Sequence, residues 1–325
     1  MTGRDGAPDE VGAADGAGGP DGPDASDGPV GIIAPPGVIL LVAVLAMSWG
    51  GPLVRYATAP ALAVAAWRVA FSVAFIAGVV LWRDRGRAIR RLSGRDWGLG
   101  LLAGVFLAGH FWSWIASLSY TTVASSVVLV NTQPIFVALL SIAFLGERPT
   151  RRQWAGIGVA VAGAAVIGWG DFAGGPEPLV GDLLAVAGAV FVSLYYVIGR
   201  RLRQRLELWD YIAVVYGAAA VVLLSATAVL PGVDVVGYPT TDWLVFLALA
   251  AGPMMIGHTG VNYALRYIPA YVANLALLGE PIGATLLAWW LPGIREQPSA
   301  QLLMGGALVL AGIGLGVRRR RTTGD

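Results

Sequence analysis

The residues best equipped for chemistry in this chain are Glu280 and Gln133, each placed directly before a proline, Pro281 and Pro134. Both fall inside long apolar stretches, about 15 Å from either end of a helix rising 1.5 Å per residue. A proline there removes one helix hydrogen bond and frees the carbonyl four residues back, at Val130 and Leu277. Inside a bilayer such a defect is tolerated only where protein or a water-lined cavity satisfies it. The two helices are therefore expected to present a carboxylate, an amide and broken backbone to one central site. Glu280 can exchange a proton and Gln133 cannot, which makes Glu280 the candidate for proton coupling. The plainer alternative is that Glu280 is a buried structural acceptor.

Other polar groups sit at similar depth, where burial is costly and function is the default hypothesis. Arg68 could hold an anionic substrate group by a bidentate contact. It could equally snorkel to the interface or pair with an acid. His110 and His258 could relay protons, although an interhelical hydrogen bond is the commoner use. Asn131, Asn262 and Asn274 are expected to make interhelical hydrogen bonds in the same way, with Asn131 and Asn274 the two that could instead reach a cavity. Trp49, Trp112 and Trp114 lie far enough from helix ends to line one, whereas Tyr120, Tyr195 and Tyr196 read as aromatics of the interface. The glycine runs Gly156, Gly158, Gly163 and Gly305, Gly306, Gly312 allow close helix approach. Internal packing is the favoured reading of them, and a homodimer the other.

No enzyme constellation accompanies these groups. There are two histidines, no cysteine and no carboxylate pair at useful spacing. A thiolate nucleophile and a thiolate metal site are excluded. No catalytic residue, metal, cofactor or nucleic-acid partner is expected, and without a nucleotide motif ATP is not the direct energy source.

The elements that must carry such a site are membrane helices. Hydrophobic residues make up 56% of the 325 and charged ones 13%, about half the charge of a soluble domain. A span takes roughly 20 apolar residues, and ten such stretches are readable: about 37–56, 61–82, 97–118, 123–145, 153–171, 180–200, 210–231, 242–265, 270–291 and 300–317. Residues 1–34, rich in Gly, Pro, Asp and Ala, read as a disordered tail.

Arginine placement orients the spans, because basic residues gather on the cytoplasmic side. Arg83 to Arg95, Arg148 to Arg152, Arg200 to Arg205, Arg266 and Arg318 to Arg321 fall at alternate connections, and only Arg55 and Arg295 oppose them. Ten crossings with both termini cytoplasmic follow. The chain also repeats itself: "SLSYTTVASSVVLVNTQPIFVALL" (117–140) aligns with "ALRYIPAYVANLALLGEPIGATLL" (264–287), matching Pro134 to Pro281. Halves of five crossings each must sit inverted. The expected architecture is all-α integral membrane, with ten transmembrane helices as two inverted five-helix repeats. It comprises a tail (1–34), a first repeat (35–171), an external linker (172–179), a second repeat (180–317) and a basic tail (318–325).

The motifs "SWGGP" (48–52), "AAWRVAF" (65–71), "LGERPTRRQWAGIGVAVAGAAVIG" (145–168) and "YALRYIPAYVANLALLGEPIGATLLAW" (263–289) appear in an ordered set. The chain thereby resembles the drug/metabolite transporter superfamily, of the ten-helix EamA type. The resemblance implies a central cavity enclosed by helices 1–4 and 6–9, with helices 5 and 10 at the side. It also implies export or exchange of small metabolites, amino acids among them, often coupled to protons. Inverted repeats suit alternating access at a central site. The expected function is a secondary active exporter of small amino-acid-like metabolites in the plasma membrane, with lipid, substrate and protons as partners. The alternative is a passive channel or flippase-like conduit on the same frame.

Overall fold

Proline and glycine decide where the helices of this chain begin, bend and stop. The computed structural model describes residues 34–121, 123–168, 176–294 and 300–317. The expected terminal tails, apart from Ala34, and residues 172–175 of the linker lie outside these. Among the described residues there is no strand. In order, the helices are α1 (Pro36–Met47), α2 (Gly50–Val54), α3 (Ala61–Asp84), α4 (Arg87–Arg90), α5 (Gly94–Ser117), α6 (Val123–Val130), α7 (Gln133–Leu145) and α8 (Arg151–Gly168). They continue with α9 (Pro178–Arg203), α10 (Leu208–Val229), α11 (Thr240–Leu249), a π segment (Ala250–His258), α12 (Thr259–Ala264), α13 (Ala270–Leu277), α14 (Glu280–Trp290) and α15 (Ala300–Val317).

Seven continuous or broken rods among them are long and apolar enough to cross a membrane: Pro36–Val54, Ala61–Asp84, Gly94–Ser117, Pro178–Arg203, Leu208–Val229, Thr240–Ala264 and Ala270–Trp290. Shorter apolar helices cover Gln133–Leu145 and Leu303–Gly316. The fold is therefore that of an all-α, multi-pass membrane protein. Large apolar side chains such as Leu41, Leu81, Phe144 and Leu303 are more than half exposed, a surface suited to lipid rather than water.

Two rods break where the prolines require it. Pro134 and Pro281 each open the second segment of their rod, after α6 and α13 respectively. The break tightens rather than unwinds. The N–H of Thr132 reaches Leu129 O at 3.1 Å, and the N–H of Gly279 reaches Ala276 O at 3.2 Å. These i→i+3 bonds satisfy backbone that an α-helix would leave open at the kink.

Two further departures were not expected. The first span is split at Ser48 and Trp49, ahead of "GGP". The eighth expected span carries Pro253 in mid-helix, and there the chain widens into the π segment ending at His258. A π segment absorbs one extra residue into the ladder, and such insertions gather at functional sites.

The main helix pairs are α5 on α9, α3 on α10 and α8 on α15. The last uses the glycine runs: a Cβ on Gly156 would stand 2.7 Å from Gly312 O, and one on Gly163 would stand 2.6 Å from Gly305 O. No side chain fits at that approach, so Gly156, Gly163, Gly305 and Gly312 serve packing within the chain, whereas a Cβ on Gly158 would meet nothing within 4 Å.

Candidate functional site

Helical periodicity gathers polar side chains from six rods into one place. His110 and Trp114 are four residues apart on α5 and share a face. Arg68 comes from the first third of α3, Tyr196 from α9 and His258 from the end of the π segment. Asn131 and Gln133 lie at the break before α7, and Glu280 opens α14. All of them line one small buried cavity, completed by Met47, Gly50, Val130, Val192 and Pro253.

Of the residues expected at a site, Glu280, Gln133, Asn131, Arg68, His110, His258 and Trp114 are thus brought together, with Pro134 and Pro281 next to them. Three are not. Asn274 is fully buried, but it does not line the cavity, and its Nδ2 donates to Ala270 O at 2.9 Å. Trp112 is 44% exposed. Two residues from both His110 and Trp114, it must point to the opposite face of α5. Trp49 is 36% exposed at the split of the first span, where Met47 and Gly50 face inward instead. Tyr196, read as an interface aromatic, is fully buried in the site because α9 runs on to Arg203.

Arg68 does not snorkel. It is 1% exposed, and its Nε and Nη1 have no hydrogen-bond partner. Among the described residues it forms no salt bridge. Its guanidinium carbon lies 4.2 Å from the centre of the Phe111 ring, a cation–π contact that is stronger in a desolvated place. Glu280, the only acid among the described residues that line the cavity, faces the same space.

The histidines are held by fixed partners. His110 Nδ1 lies 2.9 Å from Gly188 O. A carbonyl only accepts, so Nδ1 donates in this contact. His258 Nδ1 lies 3.2 Å from Tyr196 OH. Rings stack on both, Trp114 on His110 at 6.3 Å and Tyr196 on His258 at 6.3 Å. The two imidazoles are 6.1 Å apart.

The two breaks are tied reciprocally. Ser48 Oγ, on the first span, reaches Glu280 O at 3.4 Å, and Ser193 Oγ, on α9, reaches Gln133 O at 3.2 Å. Each hydroxyl also bonds the carbonyl four residues back, Val44 at 2.8 Å and Ala189 at 2.6 Å. The serines were not legible as site residues, because a backbone acceptor leaves no mark in the sequence.

The ends of the bundle are tied differently. At the arginine-rich end Arg200 Nε meets Glu147 at 2.7 Å and Arg200 Nη1 donates to Leu265 O at 2.6 Å. At the other end Asp242 accepts from the Thr58 N–H and hydroxyl, both at 2.9 Å. Between them the cavity measures about 30 Å³. One water needs about 10–15 Å³ on that measure, so the space admits a water or two and no metabolite. The arrangement places one cationic group, Arg68, and one acid, Glu280, on the same small space.

The sequence profile of the EamA-like transporter family matches residues 36–169 and again 179–318. The chain belongs to the EamA-like transporter family. Curated relatives agree. It is 33% identical over 200 residues to a probable terminal-alkyne amino-acid exporter of Streptantibioticus cattleyicolor, covering 61% of this chain and 64% of that protein. It is 26% identical to the uncharacterized transporter YdfC of Bacillus subtilis, over 64% of this chain and 67% of the relative. It is 27% identical to the aromatic amino acid exporter YddG of Ancylobacter novellus, over 71% and 79%. The chain thus spans just under two thirds of the first of these. A crystal structure of a protein superposes with TM-score 0.70 at 24% identity, covering 87% of this chain and 96% of that one. The EamA fold is therefore shared with a solved protein, and the names of these relatives are those of transporters rather than enzymes.

Proposed function

We propose that this EamA-family chain is a secondary transporter that exports a small amino-acid-like metabolite by alternating access. Arg68 takes the carboxylate of the substrate and Glu280 its ammonium group or a coupled proton. The observation that carries this reading is Arg68. An arginine buried in a membrane core with two unpaired nitrogens costs several kcal/mol, and a bound anion would recover much of that cost. Gln133 and Asn131 add hydrogen bonds, and Trp114, Tyr196 and the two histidines form aromatic walls. Two of the named relatives being amino-acid exporters supports the substrate class.

In this reading the seven long rods, the α6–α7 pair, α8 and α15 make ten crossings. They form two inverted halves, 35–171 and 180–317, joined by an external linker at 172–179. The double match of the family profile supports the halves. The arginine distribution supports cytoplasmic tails at 1–34 and 318–325 in a plasma membrane. Proton coupling runs through Glu280. A homodimer would need a surface other than Gly156, Gly163, Gly305 and Gly312, which α8 and α15 fill between them. A cavity too small for a metabolite favours a carrier over an open conduit.

The test has two stages. Untargeted profiling of medium from cells overexpressing the chain names the exported compound. Proteoliposomes then receive that compound with and without a proton gradient. Saturable, gradient-driven flux that Arg68→Gln abolishes is the expected result. Flux linear in concentration and indifferent to the gradient would leave the passive conduit standing instead.

A further inference from the structure

A second space shares no lining residue with the polar cavity and lies on the outer wall of the bundle. It is a groove of about 740 Å³ between α3, α5 and α10, within the range of sites that hold small molecules. Its walls are Val73 and Ala74 of α3 and Leu101 of α5, its floor is α10 around Gly217, and its far end reaches Ile89 of α4 and Trp97. The floor is low because α10 carries Ala and Gly there. A Cβ on Gly217 would meet nothing within 4 Å. Leu101 and Val221 are 46% and 66% exposed, so the groove opens sideways onto the surface that faces lipid.

One end differs from the rest in charge. Ile89 and Trp97 lie in the segment that carries Arg85, Arg87, Arg90, Arg91 and Arg95, all exposed. The neighbouring acids are already engaged. Asp84 caps the N–H groups of Gly86 and Ala88, Asp210 holds Arg83 at 2.5 Å, and Asp96 holds Arg205 at 2.5 Å. Among the described residues none of those five arginines forms an ion pair. A long apolar trough thus ends under a patch of uncompensated positive charge.

We propose that this groove is a seat for one anionic glycerophospholipid, its acyl chain along α10 and its phosphate among Arg87, Arg90, Arg91 and Arg95. Apolar length and a basic end together fit a lipid. A soluble anion would have no use for the trough, and a neutral lipid none for the arginines. Basic residues near a membrane surface attract anionic lipid individually, and pockets between helices on that side add specificity.

The experiment reconstitutes the full chain in vesicles of phosphatidylglycerol and phosphatidylcholine in equal parts, then counts retained lipids by native mass spectrometry. One retained phosphatidylglycerol is expected, favoured over phosphatidylcholine by about tenfold. Replacing Arg87, Arg90, Arg91 and Arg95 together by Gln should erase the preference while a lipid still seats. Gly217→Leu fills the trough, keeps every arginine and should abolish retention of either lipid. Ala74→Leu, on the α3 wall, does the same should Gly217→Leu fail to fold. Equal retention of the two lipids by the unaltered chain overturns the proposal. So does phosphatidylglycerol retained undiminished in a folded groove-filling variant, which would mean annular lipid only, and so does retention of none.

Discussion

The two broken helices share one plan and differ in one functional group. In each, a proline opens the second segment, i→i+3 bonds close the first, and a serine from elsewhere in the bundle reaches the carbonyl just before the proline. At that residue one break carries Gln133 and the other Glu280. The fit around them also differs. Gly283 lets α14 lie against the first span, since a Cβ there would come 2.2 Å from Ser48 Oγ. The position matching Gly283 in the other repeat is Phe136, which carries a large side chain where Gly283 carries none. A shared plan with unequal chemistry gives each break its own role in the proposed transport cycle, and only the second carries a titratable group, Glu280.

The sharpest way to break that inequality is Glu280→Gln, which makes the two breaks alike. The variant keeps size and hydrogen-bonding capacity but cannot exchange a proton. Substrate counterflow without a gradient should persist. Uphill transport driven by a proton gradient should fall at least about tenfold, the scale of 1.4 kcal/mol. Wild-type pH dependence of uphill transport in this variant would remove Glu280 from coupling. Loss of counterflow as well would mean that the carboxylate holds a cationic group of the substrate.

The next largest effect is expected from Gly283→Ala. The new Cβ collides with Ser48, whose side chain is 1% exposed and has no room to withdraw. Overpacking of this kind costs about 1–3 kcal/mol, read as a lowered melting temperature in detergent. Phe136→Ala, at the matching position, relieves rather than creates crowding and should leave the first break in place. Similar losses of transport in both variants would mean that close approach at Gly283 is not special to the second half.

Much of this comparison could be read from residue types. Prolines inside apolar stretches located both breaks, and charge or amide groups at membrane depth located Arg68, Gln133, Glu280 and both histidines. The helix period alone separates Trp112 from His110 and Trp114, a step that depth along the helix does not supply. Pro253 was a visible sign of the π segment, because a mid-helix proline disturbs the ladder wherever it falls. The split at Ser48 was hidden, since "GGP" reads equally well as the end of a span. The serine ties are long-range and end on backbone, so no pattern of residues could announce them.

Replacing the prolines tests whether the breaks matter in themselves. Pro134→Ala and Pro281→Ala each restore a backbone donor worth about 1 kcal/mol when paired. Both proteins should insert and melt no lower than the wild type, yet transport more slowly. Pro281→Ala should be the more severe, because it re-aims the carboxylate of Glu280. Unchanged transport in both would reduce the prolines to packing features.

The smallest effects belong to the serines, and they divide the two halves most cleanly. Each hydroxyl has one proton and two carbonyls to serve. The contact within its own helix is shorter, 2.8 Å for Ser48 and 2.6 Å for Ser193, against 3.4 and 3.2 Å to the opposite break. The tie between halves is therefore the weaker arm of a shared bond. Removing it should cost less than the roughly 1 kcal/mol of a full hydrogen bond. Ser48→Ala loosens the break that presents Glu280, so it should weaken gradient-driven uphill transport and spare the KM for counterflow. Ser193→Ala loosens the break that presents Gln133, so it should raise that KM and spare the drive. Because the serines sit on different helices with no shared acceptor, the double variant should show the sum of the two changes. Identical phenotypes from the two single variants would mean that the breaks move as one body, and the division of labour between Glu280 and Gln133 would fall with that result.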